Sequence, residues 1–133
     1  MATISTRLMI TGTAVTSDPI AVDFSINNSV AAPAIESGGF DIAAAGSVGV
    51  YISPAATPTR TFLYIKNTGA VGQNFVTVTL DVDCAEGVNA TPTLARLELG
   101  EFMYLPIAPE TTITVNSSAA ATAQIEYGYF SAA

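Results

Sequence analysis

The amino-acid sequence predicts a single all-β domain, residues 1–133, folded as an antiparallel β-sandwich of the jelly-roll type with eight or nine short strands. Three observations support this prediction. Apolar and polar residues alternate along much of the chain, as they do in strands that bury one face. Turn-forming residues interrupt the alternation at short intervals. No segment has a sustained helical stripe with start and stop signals.

The N-terminal third contains one clear strand and two less regular segments. Residues 1–15 are β-prone and terminal, so they form either the first strand of the sandwich or an arm that reaches a neighbouring molecule. Next, Val22, Phe24 and Ile26 alternate with polar residues, which predicts a strand with one face in the core. Residues 29–45 are rich in alanine, contain a proline and two adjacent glycines, and are expected to form a long connection.

The clearest strand lies in the middle of the chain, within residues 74–82. Val76, Val78 and Leu80 point to one side and threonines to the other, so one face is expected in the core. The same alternation predicts strands whose inward residues are Val48, Val50 and Ile52, then Ile113 and Val115, then Ile125, Tyr127 and Tyr129. The expected breaks lie at residues 17–19, 38–39, 54–58, 67–69, 86–89 and 100.

Two segments are apolar almost continuously, residues 61–66 and 102–107. Both faces of such strands need a partner, one in the core and the other against a loop, a subunit or another protein. Coverage by loops of the same chain and contact with another protein stay open as alternatives. The candidate contact residues are Phe62, Leu63, Tyr64, Ile65, Phe102, Met103, Tyr104 and Leu105.

The composition argues against most enzyme chemistry. The chain has no histidine, which removes the usual proton shuttle, the base of a catalytic triad and the imidazole metal ligand. Eleven acidic and four scattered basic residues give a net charge of −7, so we expect neither a nucleic-acid surface nor attraction to an anionic membrane. We therefore predict a non-enzymatic protein without a metal or another cofactor.

The sequence contains few features that indicate a cellular compartment. Cys84 is the only cysteine, so no intramolecular disulfide is possible, and we expect it to act as a small hydrophobic residue. The apolar run at residues 8–10 is too short for a signal peptide, and no apolar stretch approaches the length of a membrane span. These observations predict a chain that is made in the cytosol.

Two carboxylate groups could form a site, and for each we favour a structural role. Asp81, Asp83 and Glu86 could hold calcium, but their spacing does not match that of an EF-hand loop. Glu98 and Glu101 could act as a glycosidase pair, but no aromatic cleft is expected around them. We expect solvent-facing acids at a strand end in the first case and charges at a hairpin end in the second.

Tyrosines and basic residues allow further alternatives. Tyrosine rings could line a carbohydrate site, but most of them lie in dense apolar runs, so we favour packing in the core or at a subunit interface. The basic side chains are either ordinary edge charges or anchors for an acidic partner, and the sequence does not choose between them. The residues concerned are Tyr51, Tyr64, Tyr104, Tyr127 and Tyr129, and Arg60, Lys66 and Arg96.

Four phrases in the second half of the chain carry a family resemblance. They are Arg60-Thr-Phe-Leu-Tyr-Ile-Lys-Asn67, Val76-Thr-Val-Thr-Leu80, Ala95-Arg-Leu-Glu-Leu-Gly-Glu-Phe-Met-Tyr-Leu-Pro106 and Ile125-Glu-Tyr-Gly-Tyr-Phe130. In this order they resemble small virion structural proteins of tailed bacteriophages, and most of all the capsid cement, or head-decoration, proteins. The resemblance covers a little over half of the chain, from Thr59 to Phe130.

The resemblance implies a β-sandwich or jelly-roll protein that binds the shell of the major capsid protein and stabilises the phage head. It implies a location in the virion, on the head exterior, for a protein made in the host cytoplasm. It also implies a homo-oligomer, a trimer if the chain follows the family, and exposed apolar strands are consistent with self-association. The alternative is a tail, neck or tail-fibre module that binds host carbohydrate.

Overall fold

β-strands dominate the computed structural model, which describes residues 2–12, 20–52, 61–69, 75–82, 93–107, 111–118 and 122–132. The strands in these ranges are β1 Ala2–Gly12, β2 Ile20–Ile42, β3 Ser47–Ile52, β4 Thr61–Asn67, β5 Val76–Val82, β6 Thr93–Leu97, β7 Phe102–Ile107, β8 Thr111–Ser117 and β9 Ala123–Ala132. Every ladder between them is antiparallel. Nothing in these ranges forms a helix long and apolar enough to span a membrane. The predicted all-β fold is confirmed, although β2, with 23 residues, is not short.

The strand order identifies a jelly roll. Sheet one has the order β1-β2-β9-β4-β7, and sheet two has the order β3-β8-β5-β6. Strand pairs β2–β9, β3–β8, β4–β7 and β5–β6 form the nested hairpins of a jelly roll, distributed over two packed sheets. The prediction of a jelly-roll sandwich is therefore confirmed by the pairing itself.

The hydrophobic core lies between the inner faces of the two sheets. On β4, Leu63 and Ile65 have no exposed surface, and on β5 the same holds for Val76 and Val78. These side chains meet because alternation turns every second residue of each strand inward. The buried cluster comprises Ile42, Leu63, Ile65, Val76, Val78, Leu97, Ile107, Ile113, Val115, Ala123, Ile125 and Tyr127.

The expected long connection at residues 29–45 is wrong for most of its length. Strand β2 continues to Ile42, and residues 43–46 make the turn to β3. Strand β9 supplies the backbone partners, since Gly38 pairs with Tyr127, and a Cβ at Gly38 would come within 3.2 Å of the Tyr127 ring. The glycine therefore allows close packing against a tyrosine instead of breaking the strand.

Strand β1 and the first half of β2 form a two-stranded ribbon, residues 2–12 and 20–30, which extends from one end of sheet one. The register runs from Ala2 opposite Val30 to Gly12 opposite Ile20, and β2 is the ladder partner of β1 in sheet one. At about 3.4 Å per residue, β2 spans roughly 75 Å, about three times the length of a seven-residue strand such as β4. Residues 2–12 thus pair as a strand of sheet one, and together with residues 20–30 they extend from the sheet as an arm.

The apolar residues of this ribbon are not in the core, contrary to the sequence prediction. Phe24 is 68% exposed and Ile26 is 58% exposed. The alternation was correct, but the ribbon lies beyond the part of sheet one that faces sheet two. Periodicity indicates that one face is apolar, and it does not indicate whether a second sheet lies opposite.

Candidate functional site

The two continuously apolar segments form neighbouring strands, β4 and β7, in sheet one. Their eight candidate contact residues separate by alternation into two sets of four. Leu63, Ile65, Met103 and Leu105 point inward and pack in or against the core. Phe62, Tyr64, Phe102 and Tyr104 lie on the outer face, and we call these four residues the aromatic patch. Half of the candidate residues thus contribute to the fold, and the other half form an outer surface.

The rings of the aromatic patch contact each other diagonally across the ladder. Phe62 stacks on Tyr104 with ring centroids 6.1 Å apart and planes 3° apart. Tyr64 and Phe102 form a tilted pair with centroids 6.3 Å apart. Diagonal cross-strand pairs of this kind hold their rings in place. The patch is therefore an ordered surface built on β4 and on β7, the edge strand of sheet one.

Exposure is uneven within the patch. Phe62 is 4% exposed, Tyr64 and Tyr104 are half-buried, and Phe102 is 63% exposed. The hydroxyl of Tyr104 is buried and has no hydrogen-bond partner among the described residues. The patch thus presents one prominent phenylalanine ring above a more deeply packed aromatic layer.

Two opposite charges border the aromatic patch. Lys66 on β4 lies opposite both Phe102 on β7 and Glu126 on β9 in the ladders. Burial raises the pKa of the Tyr64 phenol, and the negative charge of Glu126 raises this pKa further. Because one acid and one base flank the rings, this surface has little net charge although the chain carries −7.

The outer face of sheet two has a different chemistry. Thr77, Thr79, Thr114 and Asn116 line its central strands. The Asn116 amide donates to the Thr79 hydroxyl at 3.2 Å, and that hydroxyl donates to the Thr114 carbonyl at 3.2 Å. Short hydroxyl and amide side chains that bond to each other and to the backbone suit a solvated surface.

Glu98 and Glu101, for which a structural role was expected rather than a glycosidase site, both have roles in a turn. A carboxylate oxygen of Glu101 accepts the backbone N–H of Glu98 at 2.9 Å, and the Glu98 carboxylate pairs with Arg96 at 2.6 Å. Gly100 between them has a φ of 81°, a left-handed conformation that favours glycine. The expected hairpin end is wrong, because β6 and β7 belong to different sheets and the turn is a crossover.

Sequence reasoning missed the side chain that anchors this crossover. Asn67, 1% exposed at the end of β4, donates through its amide to the Leu97 carbonyl at 3.1 Å and accepts the Gly69 N–H at 3.1 Å. Its backbone N–H donates to the Glu101 carbonyl, and its carbonyl accepts from Gly100. The sequence predicts only a break at residues 67–69, because a buried asparagine that bonds through both its side chain and its backbone gives no separate sequence signal.

The tyrosines divide between the core and the outer face. Tyr127 is buried and stacks on Phe40 with ring centroids 5.2 Å apart, and Tyr129 packs against the core. Tyr64 and Tyr104 belong to the aromatic patch, and Tyr51 lies in β3. The favoured interpretation, packing in the core, is therefore correct for Tyr127 and Tyr129.

The remaining predicted site residues lie in β5, in β6 or outside the described ranges. Arg96 lies 3.5 Å from the centroid of the Phe75 ring, so it contacts both that ring and Glu98 within its own chain. Asp81 belongs to β5. Within the described ranges, no group of three or more acidic, cysteine or histidine side chains could hold a metal ion. Arg60, Asp83, Cys84 and Glu86 lie outside those ranges.

Comparisons with known proteins give low similarity. No family model and no curated protein matches the sequence. A solved chain from Bacillus endospore appendages, described as a family of disulfide-linked pili, is 15% identical over 79% of this chain and 89% of that chain, with a TM-score of 0.49. The cupin domain of Schizosaccharomyces pombe Cnp3 is 9% identical over 92% of this chain and 87% of its own, with a TM-score of 0.46. The fold assignment rests on the strand order.

Proposed function

We propose that this protein is a non-enzymatic structural component of a protein assembly and that the aromatic patch is its docking surface. The observation that supports this proposal most directly is the position of four aromatic rings on the outer face of sheet one. Rings in that position are not needed to form the core, because the inward residues of β4 and β7 already fill it. A cluster of aromatic residues with one exposed phenylalanine, Phe102, is typical of a protein interface.

The physical properties of the patch suit a protein partner. Phe102 projects from strand β7, so a partner pocket could bury it with little loss of conformational freedom. The paired opposite charges of Lys66 and Glu126 at its border would orient a partner without adding net repulsion.

The more specific form of the proposal is a capsid decoration protein on the exterior of a phage head. The resemblance of residues 59–130 to cement proteins supports it, with the major capsid protein as partner. Many copies would dock on the shell and stabilise it, because a ligand that binds only the assembled state shifts the equilibrium toward assembly. The absence of histidine is consistent with a role that needs no proton transfer.

Co-sedimentation with phage heads that lack a decoration layer tests this function. Purified protein should sediment with the heads at a fixed stoichiometry, and Phe102→Ser should reduce the apparent affinity at least about tenfold, the effect of losing a central aromatic contact. Leu94→Ser is the matched control, because Leu94 is a 41% exposed apolar residue in sheet two. Equal binding by both variants would contradict the role of the patch, and absence of binding by the unmodified protein would contradict a head location.

A carbohydrate-binding tail-fibre module is the second candidate. The exposed Phe102 ring beside Tyr64 favours it, since flat aromatic faces also stack on sugars. A glycan array would show saturable binding that Tyr104→Ala abolishes if this candidate is correct. Binding to heads with no glycan signal would favour the decoration role.

A further inference from the structure

The ribbon formed by residues 2–12 and 20–30 has one apolar face. Directly opposed residues share a face in an antiparallel pair, so the pairs Leu8–Phe24 and Ile10–Val22 lie on the same side of the ribbon. Ile26 lies on that side as well, opposite Thr6. Leu8 is 50% exposed, Ile10 47%, Phe24 68% and Ile26 58%, so these side chains form a continuous apolar strip in contact with water.

The opposite face of the ribbon is mostly polar, with Met9 as its one large apolar residue, and its two charges are paired. Arg7 donates to both carboxylate oxygens of Asp23, at 2.8 and 2.6 Å. Ser5 donates to the Asn27 side chain at 2.5 Å. The bond to Arg7 lowers the pKa of the Asp23 carboxyl, so this pair stays ionised over a wide pH range. The ribbon thus has one mostly polar face, on which the charges are paired, and one apolar face that is exposed.

The register of β2 places the apolar strip on the outer side of sheet one. Val30 pairs with Ala132 and Ile35 pairs with Phe130, so β2 advances by five positions where β9 advances by two. Strand β2 therefore has three extra residues at this irregularity. Because three is an odd number, the residues that face one side of the sheet before the irregularity have the opposite parity after it. After the irregularity, the even-numbered residues of β2 point to the core, as Phe40 and Ile42 do. Before the irregularity, the even-numbered residues of β2 point away from the core. The strip therefore does not continue the core.

We propose that the apolar strip packs face to face against the same strip of a second copy of this chain. An isolated two-stranded ribbon is marginally stable in water, so it needs a covering layer. The strip has no charged residue, and the nearest charges are paired on the opposite face, so two copies of net charge −7 can approach each other here. Two identical faces related by a two-fold axis satisfy each other.

The apolar area of the strip approaches what such a dimer needs. With about 200 Å² as the accessible area of a large apolar residue, the four exposed fractions amount to roughly 450 Å² per ribbon. Two ribbons at the usual sheet spacing of about 10 Å would remove roughly 900 Å² from water, to which the partly buried Ile4 and Val22 add. This is close to the roughly 1,000 Å² that a specific interface requires.

A single tryptophan reports on this contact, because the chain has none. In Phe24→Trp, the fluorescence emission should shift to shorter wavelength as the protein concentration rises, since the indole leaves water on dimerisation. In Ser25→Trp, on the polar face of the same strand, the emission should stay solvent-like. Emission from position 24 that is solvent-like at every concentration, or that is blue-shifted independently of concentration, would overturn the proposal.

The molar mass provides the second measurement. Sedimentation equilibrium of the unmodified protein should fit a monomer–dimer equilibrium, and the double variant Phe24→Thr with Ile26→Thr should raise the dissociation constant at least about tenfold while threonine keeps the strand propensity. Ser25→Thr and Phe102→Ser should leave the dimer intact, which separates this contact from the aromatic patch. A monomer, a trimer, or a dimer unaffected by the double variant would contradict the proposal.

Discussion

The outer faces of the two sheets differ in chemistry although both sheets bury the same kind of inner face. Sheet one displays Phe102 and Tyr64 on its outside, whereas sheet two displays Thr77 and Thr114. Both inner faces contribute leucine and isoleucine to one core. Because the fold is satisfied by the inner faces, the aromatic outer face of sheet one needs another explanation. The outward residues, and not the inward ones, therefore distinguish the two sheets.

The largest expected effect separates the inner and outer sides of sheet one. Leu63→Ala removes a fully buried side chain and should lower the free energy of unfolding by about 2–5 kcal/mol. Phe102→Thr should cost about 1 kcal/mol or less, because the ring is mostly exposed and loses mainly its contact with Tyr64. Urea unfolding of both variants measures the difference. Comparable losses would mean that the aromatic patch belongs to the core.

The next effect concerns the crossover that connects the sheets. Asn67→Ala leaves the Leu97 carbonyl and the Gly69 N–H without partners and should destabilise the fold by about 2 kcal/mol. The matched control is Asn116→Ala on the outer face of sheet two, where the amide bonds are longer and half-exposed, with an expected loss below about 1 kcal/mol. Thermal melts of the two variants test this. A larger loss at Asn116 would show that the sheet-two face is structural.

A smaller effect is expected at two glycines. Gly100→Ala must place a side chain at a φ of 81°, in otherwise open space, and should cost about 1 kcal/mol. Gly49→Ala, on a strand of sheet two with nothing within 4 Å of the new Cβ, should leave the melting temperature unchanged or raise it. If Gly100→Ala were neutral, the left-handed turn would not determine how β6 leads into β7.

The smallest effect is a pH dependence of the aromatic patch. The pKa of Tyr64 is raised, so the folded state favours the neutral phenol. The stability that the neutral Tyr64 phenol contributes is fully present below the ordinary tyrosine pKa. This contribution is lost as the pH rises through the higher pKa that Tyr64 has in the folded state. Glu126→Gln should lower the Tyr64 pKa only partly, because burial is the larger cause. Phenolate absorbance of this variant, with Tyr64→Phe as the reference, measures the shift.

Alternation predicted most of the fold because the core depends on it directly. The inward residues of β5 and β9, such as Val78 and Ile125, follow from period two alone. The C-terminal part of β2 could not be found, since its alanines and glycines have little strand signal and the ladder with β9 supplies the stability.

The candidate site was predicted only in part. The continuous apolar segments predicted a partner for both faces of each strand. The inner faces pack in or against the core, whereas Phe102 on the outer face of β7 is exposed, so a partner for that face stays a prediction. The sequence alone does not indicate that Leu63 faces the core and Phe62 faces the outer side of sheet one, because this depends on the register of β4 and β7. The exposed strip at Phe24 has the same pattern as a core strand, so only the three-dimensional position of the ribbon distinguishes it.

Electron cryo-microscopy of the native particle would show which outer face of the jelly roll contacts a partner. The particle would be isolated through an epitope tag on this chain, and the orientation of the jelly roll would be read from the map. We expect the outer face of sheet one, with Phe102 and Tyr104, to lie against another protein and Thr77 and Thr114 to face solvent. A map in which the sheet-two face contacts the partner while the aromatic patch faces solvent would contradict this expectation.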